Sequence, residues 1–123
     1  MGLVWAYGVT TIPKRMDLLR RTLASLDRGD FGKPRLFIDG WDGRGDDYLW
    51  VTSRPGQWEL EVTARWSALR PYGNWILALA ELWIRQPAVD RYALFQDDLL
   101  CYANLREYLE KCPYPEKGYL NLY

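Results

Sequence analysis

Short apolar runs and amphipathic stretches alternate along this chain. Five runs are rich in apolar residues, and the third of them alternates strictly between apolar and polar positions, a pattern that predicts β-strands. Between these runs, apolar side chains recur every three or four positions, which predicts helices that bury one face. The predicted strands cover residues 3–10, 34–40, 60–66, 92–96 and 118–123.

Two longer helices and one shorter helix are expected between the strands. The first has an apolar stripe made of Met16, Leu19, Leu23 and Leu26. The second is expected to begin at Asn74 as its N-cap and to end before Pro87. Its buried face is predicted to consist of Ile76, Leu77, Ala80, Trp83 and Ile84.

The third helix is expected to begin after Asn104, whose spacing to Glu107 within the helix is similar to that of a capping box. Residues 41–57 are rich in Gly and Asp, so we predict a long loop there, with a short ordered piece at 48–52. Strands that alternate with helices imply a mostly parallel sheet with helices on both faces. We therefore predict an α/β protein with a three-layer α/β/α, Rossmann-like fold, in which residues 1–123 form one domain.

Composition narrows the function classes. The chain has 123 residues, 49% of them hydrophobic, and 16 basic residues balance 16 acidic ones. A net charge of zero argues against a general nucleic-acid binder, and no apolar run is long enough to predict a membrane span. The sequence contains no His, so acid–base chemistry would rest on other side chains. With no secretion signal recognised, Cys101 and Cys112 are expected to be reduced thiols of a cytoplasmic protein.

Polar residues follow the predicted strands, where ligands bind in a parallel sheet. The crevice beyond the carboxyl ends of such strands, at the point where the strand order reverses, is the usual ligand site. We expect the first and fourth strands to be neighbours, which would bring Thr11 close to Asp98. The candidate residues at this edge are Thr11, Arg15, Asp39, Arg70, Asn74, Gln96, Asp97 and Asp98.

The adjacent acids Asp97 and Asp98 need a cation nearby, because two neighbouring carboxylates repel each other. Oxygen ligands suit Mg²⁺ or Mn²⁺, and such an ion could hold a diphosphate and stabilise it as a leaving group. An equally simple interpretation is that one of the two acids only caps the turn that follows the strand.

Several stretches, in order, resemble glycosyltransferases of the GT-A fold. "YGVTTIPKRMDLLRRTLASL" is similar to the family's first strand, Thr-Pro-Arg turn and L-x-x-T-L-x-S-L helix. "LFIDG" resembles its second strand, and "YGNWILALAEL" resembles the helix that precedes its metal-binding strand. "FQDD" resembles the D-x-D motif, with Gln96 in place of the first acid.

The resemblance implies a nucleotide-sugar site, with a UDP-sugar as the expected donor and Mn²⁺ or Mg²⁺ as the cofactor. Asp98, with Asp97 as a less certain partner, would hold the metal. The nucleotide would contact Thr11, Pro13, Arg15, Asp39, Gln96 and Asp97. Arg70 and Asn74 would approach the diphosphate or the sugar.

Domains of this family are about twice as long, so we expect this chain to correspond to their nucleotide-binding half. On this view it lacks the acceptor site, and none of the later acids, Glu107, Glu110 and Glu116, is assigned as a catalytic base. We further expect homo-oligomers that form through the C-terminal strand at 118–123. The alternative from another class is a non-catalytic α/β interaction module that binds a partner through an aromatic surface, given 7 Trp and 9 Tyr.

Overall fold

The computed structural model describes residues 2–113 and 119–120. Its centre is a four-stranded, entirely parallel sheet with the strand order β3-β2-β1-β4. The strands are β1 (Trp5–Thr11), β2 (Arg35–Asp39), β3 (Val62–Arg65) and β4 (Arg91–Gln96). The parallel sheet and the adjacency of the first and fourth strands confirm the predicted fold.

Helices lie on both faces of the sheet. A 3₁₀ turn, Pro13–Arg15, leads into α1 (Met16–Arg28), and the short α2 (Leu49–Thr52) lies in the long predicted loop. The two later helices are α3 (Arg70–Arg85) and α4 (Leu105–Lys111). No helix among the described residues is long and apolar enough to cross a membrane.

The sheet separates two apolar clusters. The larger one packs the predicted stripe of α1 against side chains of β1, β2 and β4, and it also contains Leu109 of α4. The smaller one packs Ala78 and Leu82 of α3 against Ala6 and Phe37 on the opposite face. The central strand fits closely between them, because a Cβ at Gly8 would lie 2.5 Å from the Phe37 ring.

The sequence prediction for α3 is wrong in two respects. The helix begins at Arg70, so Asn74 lies within its second turn and is not its N-cap. The residues of α3 that are buried against the sheet are Asn74, Ala78 and Leu82. The predicted buried face is largely exposed, with Trp83 60% and Ile84 70% accessible. Because α3 carries apolar residues on nearly every side, its pattern does not define which side is buried.

One polar cluster also holds α3 on the sheet. Glu81 accepts hydrogen bonds from the Thr63 hydroxyl and from Arg35 Nε at 3.1 Å, and it pairs with Arg85 at 2.8 Å. Burial raises the pKa of Glu81, but the hydrogen bonds from Thr63 and Arg85 and the neighbouring Arg35 outweigh this effect and lower it overall. The helix is therefore fixed at this end of the sheet by charge-assisted hydrogen bonds that span two strands.

Two further predictions need correction or fall outside the described residues. Asn104 is the N-cap residue of α4, but its side chain makes no capping hydrogen bond, and Glu107 pairs with Lys111 instead. The predicted strand at 118–123 lies mostly outside the described residues, and Tyr119 and Leu120 have no strand structure.

Helix α4 connects the two ends of the described chain. Glu110 accepts hydrogen bonds from Trp5 Nε1 at 2.7 Å and from the Leu3 backbone N–H at 3.2 Å. Arg106 donates to the Leu3 carbonyl at 2.9 Å. The first strand is thus held by a helix about 105 residues further along the sequence, as the Trp5–Glu110 separation shows.

Candidate functional site at the carboxyl ends of β1 and β4

The strand order reverses between β1 and β4, and we refer to the region beyond the carboxyl ends of these two strands as the crevice. From β1 the chain continues to β2 and β3 on one side, and it then returns to β4 on the other side. In doubly wound sheets this reversal point is where ligands bind. Thr11 ends β1 and Gln96 ends β4, so the two acids that follow Gln96 enter the crevice. The structure thus brings the residues predicted to follow β1, Thr11 and Arg15, into contact with the acids that follow β4.

Asp97 is the buried acid of this site, with 4% of its surface accessible. Its Oδ2 atom accepts a hydrogen bond from the Thr11 hydroxyl at 2.8 Å, and its Oδ1 atom lies 3.0 Å from Arg15 Nε. Burial raises the pKa of Asp97, and Asp98 adds to this, whereas Thr11 and Arg15 lower it. Both carboxylate oxygens therefore already have a partner on β1 or on the turn after it.

Asp98 is the exposed acid, and its side chain is about half accessible (51%). Its Oδ2 atom lies 3.2 Å from Arg15 Nη2, so one guanidinium bridges both acids. This bridge explains how two adjacent carboxylates can end a buried strand, because a positive charge lies between them.

The buried face of α1 holds the loop that carries these acids. The Thr22 hydroxyl donates to the Asp97 carbonyl at 2.7 Å, and the Cys101 N–H donates to the Ser25 hydroxyl at 2.5 Å. Both side chains belong to the helix pattern that resembles the glycosyltransferase motif. Their hydrogen bonds give that pattern a physical role here, which is to fix the backbone on either side of Asp98.

Tyr48 also belongs to the site, and the sequence analysis missed it. The residue is 1% accessible, yet its hydroxyl has no hydrogen-bond partner within residues 2–113 and 119–120. Burial, with smaller contributions from Asp47 and Asp97, raises the pKa of Tyr48 to about 12. The hydroxyl is therefore a buried donor within the electrostatic influence of Asp97, and buried donors normally have an acceptor. No motif marks Tyr48 in the Gly- and Asp-rich segment.

Two partly exposed aromatic rings, Trp41 and Trp50, pack against the larger apolar cluster on the α1 side of the sheet. The Trp41 ring packs on Tyr48 with 4.7 Å between the ring centroids, and Trp41 remains partly exposed. The Arg20 guanidinium lies 4.0 Å from the ring centre of Trp50. Partly exposed rings beside a polar crevice can stack on a flat ligand group such as a nucleobase.

Asp39, Arg70 and Asn74 form a second group, at the ends of β2 and β3. The Asp39 carboxylate accepts hydrogen bonds from the backbone N–H groups of Leu69 at 2.7 Å and Arg70 at 2.8 Å, which caps α3. The buried Asn74 donates to the Phe37 carbonyl at 3.1 Å and accepts from Arg65 Nε at 2.8 Å. These polar atoms have protein partners and join the helix to the sheet.

The remaining candidates lie at the rim or elsewhere. Pro13 is exposed at the start of the 3₁₀ turn, and Gln96 is exposed at the end of β4. Of the later acids, Glu107 and Glu110 lie on α4 in the contacts described above, and Glu116 lies outside the described residues.

The donor set fits a divalent cation through Asp98 better than through Asp97. Asp98 is half exposed and contacts Arg15 through Oδ2, whereas both oxygens of Asp97 are engaged. Within the described residues, no cluster of three acidic, Cys or His side chains is placed to hold a metal ion. Mg²⁺ commonly binds through one or two carboxylates together with water and phosphate oxygens, and Asp98 would supply one such carboxylate.

In comparisons with protein-family models, with curated proteins and with solved structures, no match was found. The likeness to GT-A glycosyltransferases therefore rests on the sequence motifs alone, and the structure shows a small, parallel, Rossmann-like α/β fold.

Proposed function

We propose that this chain binds the diphosphate of a nucleotide-sugar, with a UDP-sugar as the expected ligand, in the crevice between β1 and β4. It would serve as the donor-binding part of a glycosyltransferase. A sugar-transfer reaction also requires an acceptor site and a base, and we assign neither to the described residues.

One observation carries the proposal. Thr11, Arg15, Asp97 and Asp98 converge at the point where the strand order reverses. Parallel α/β sheets bind nucleotides at this point. The loop from 11 to 16 contains no glycine, so the phosphates are not expected to approach the backbone as in dinucleotide-binding folds. Side chains would therefore provide the phosphate contacts.

Each of these side chains has a distinct part in the proposed complex. The Arg15 side chain is 38% accessible, so its guanidinium can turn towards a phosphate and bind it with two N–H groups. The Tyr48 hydroxyl can donate to a ligand oxygen, since within the described chain it has no other acceptor. Trp41 is the ring available for stacking on the base.

The proposed metal site is centred on Asp98. A bound Mg²⁺ or Mn²⁺ would neutralise charge on the diphosphate and stabilise it as a leaving group. Asp98 would hold the ion, and Asp97 would keep its contacts to Thr11 and Arg15 and orient the loop.

Isothermal titration calorimetry with UDP, with and without Mn²⁺, tests the proposal. We expect saturable binding that requires the metal, and we expect UMP to bind more weakly because it lacks the second phosphate. Absence of UDP binding in both conditions would refute the proposed function. Equal affinity with and without metal would remove the metal from it.

A second candidate function has its own support. Helix α3 exposes Tyr72 at 77% and Trp83 at 60%, which is unusual for large aromatic side chains on a monomeric surface. A non-catalytic module that binds a partner through this helix would show no nucleotide binding. The same titration therefore separates the two candidates.

A further inference from the structure

One side of α3 is an apolar surface that the described chain does not cover. Residues on this side follow the spacing i, i+3, i+4, i+7 and i+11, so they share one helical face. They are Tyr72, Trp75, Ile76, Leu79 and Trp83, and all of them are at least 36% accessible. We refer to this set as the α3 face.

The α3 face continues onto β4. A groove of about 460 Å³ is lined by Trp75, Ile76, Leu79, Ala80 and Trp83 of the helix and by Tyr92 of β4. In the described sheet, β4 is the last strand and pairs only with β1. Its outer edge thus presents backbone groups beside an apolar groove, a combination that favours the addition of another strand.

The charge pattern favours a second copy of the same chain over a charged partner. Residues 71–80 of α3 contain no charged side chain, and Glu81, which follows them, is held by Arg35 and Arg85. An antiparallel pair of β4 strands about a two-fold axis would place Arg91 opposite Gln96 of the other copy. Within residues 91–96 the two copies therefore meet without opposing like charges. The next pair outward would place Asp90 opposite Asp97, and these carboxylates already accept hydrogen bonds from the Val4 N–H and the Thr11 hydroxyl of their own chain.

The exposed aromatic side chains supply a large part of the area that a stable dimer needs. Aromatic side chains bury roughly 150–250 Å² each. With Tyr72 77%, Trp75 39% and Trp83 60% accessible, these three contribute on the order of 300–400 Å². A standard interface buries about 800 Å² per partner, so three residues supply nearly half of it. The rest of the α3 face and the β4 edge extend the same surface.

We infer that this chain forms a symmetric dimer in which two β4 strands pair antiparallel and two α3 faces pack together. Across a two-fold axis the same surface of each copy contacts its counterpart. The pairing of the β4 strands joins two four-stranded sheets into one sheet of eight strands. This interface differs from the expected one at 118–123. It also leaves the crevice between β1 and β4 outside the contact, so it does not depend on the proposed function.

Sedimentation velocity over a wide concentration series tests the dimer. We expect the wild-type protein to sediment as a dimer, and we expect Trp83→Glu to weaken dimerisation by at least tenfold, because the substitution buries a charge against an apolar face. Tyr102→Glu is the matched control. Tyr102 is 86% accessible and lies outside the α3 face, so this variant should dimerise like the wild type.

Hydrogen exchange locates the contact. Amides of 91–96 should gain protection as the wild-type concentration rises, and they should not in Trp83→Glu. If Trp83→Glu does not fold, as judged by circular dichroism, Ile76→Lys tests the same face. A wild-type protein that is monomeric at all concentrations would overturn the inference. So would a dimer that persists in the folded variants without protection of β4.

Discussion

Thr11 and Asp97 are 86 positions apart in sequence, yet the Thr11 hydroxyl donates a 2.8 Å hydrogen bond to the Asp97 carboxylate. The contact is possible because β1 and β4 are parallel neighbours whose carboxyl ends coincide. It fixes the orientation of the buried acid, and Arg15 binds the second oxygen of the same carboxylate. The arrangement leads to predictions for each member of the site.

The pKa of Asp97 should respond to the loss of Thr11. Burial already raises this pKa, and the Thr11 hydrogen bond opposes the increase, so Thr11→Val should raise it further. The folded-state pKa of Asp97 lies above the unfolded value of about 3.9. Its contribution to the free energy of unfolding is therefore fully present at a pH below the unfolded pKa. Its contribution is lost as the pH rises through the folded-state pKa. A ¹³C NMR titration of the carboxyl carbon measures the shift.

Thr10→Val is the control for that titration. Thr10 is the adjacent residue of β1, and successive strand residues point to opposite faces of the sheet. Its substitution should leave the pKa of Asp97 unchanged. An Asp97 pKa that stays constant in Thr11→Val would show that the hydrogen bond does not influence the ionisation.

Substitution of Asp98 should weaken metal-dependent nucleotide binding. Asp98→Asn keeps the size of the side chain but removes the charge that a divalent cation needs. We expect the affinity for UDP with Mn²⁺ to fall by roughly tenfold or more, equivalent to about 1.4 kcal/mol. Calorimetry provides the measurement, and Asp17→Asn, an exposed acid on α1, should bind like the wild type. Unchanged affinity in Asp98→Asn would exclude this residue as the ligand.

Arg15→Met should change metal and nucleotide affinity in opposite directions. Arg15 bridges Asp97 and Asp98, so its removal frees both acids for a divalent cation. Binding of Mn²⁺ alone should become several-fold tighter, whereas UDP should bind several-fold more weakly because a phosphate contact is lost. A titration with Mn²⁺ alone and a titration with UDP at saturating Mn²⁺ separate the two effects. Parallel losses of both affinities would indicate that Arg15 only maintains the structure of the crevice.

Tyr48→Phe should have different effects on the free energy of unfolding and on the affinity for UDP. The hydroxyl is buried without a partner in the described part of the chain, so its removal should leave the free energy of unfolding unchanged or raise it by about 1 kcal/mol. If the hydroxyl donates to the ligand, UDP affinity should fall at the same time. Denaturant unfolding and calorimetry measure the two quantities. A clear loss of stability would mean that the hydroxyl has an acceptor in the free protein.

Glu81 should matter for stability and not for ligand binding. Its carboxylate joins α3 to Thr63 and Arg35, so Glu81→Gln should cost roughly 1–3 kcal/mol at neutral pH. Because the folded-state pKa is lowered, the stabilisation is present above the unfolded value and is lost as the pH falls through the folded-state pKa. Urea unfolding at several pH values tests this. Glu61→Gln, in an exposed pair with Arg54, should change stability by less than about 1 kcal/mol.

The adjacency of β1 and β4 could be predicted from the sequence, but not every residue of the candidate site could. Alternating strands and helices imply a parallel sheet, and the carboxyl ends of such strands lie at one edge, so Thr11, Arg15, Asp97 and Asp98 could be placed together. Tyr48 could not be placed there, because its burial depends on packing of the long segment after β2 against α1 and the sheet, which no local pattern encodes.

The buried face of α3 could not be predicted for a different reason. When a helix carries apolar residues on most sides, its sequence pattern is compatible with several choices of buried face. The sheet selects the side on which Asn74 can reach the Phe37 carbonyl and Ala78 allows close approach. The larger apolar residues, Trp83 among them, remain outside. Hydrophobicity alone would have buried the larger residues.

The central position of β1 has a consequence for the order in which the chain folds. Of the four strands, β1 leaves the ribosome first, but its partner β4 follows about 86 residues later. The α4 residue that binds Trp5, at the start of β1, is synthesised later still. At 5–20 residues per second, roughly 4–17 seconds pass between the two strands. During that interval β1 can pair only with β2, and one of its edges stays open to other nascent chains. Synthesis rate and chaperone supply should therefore influence the yield of this protein.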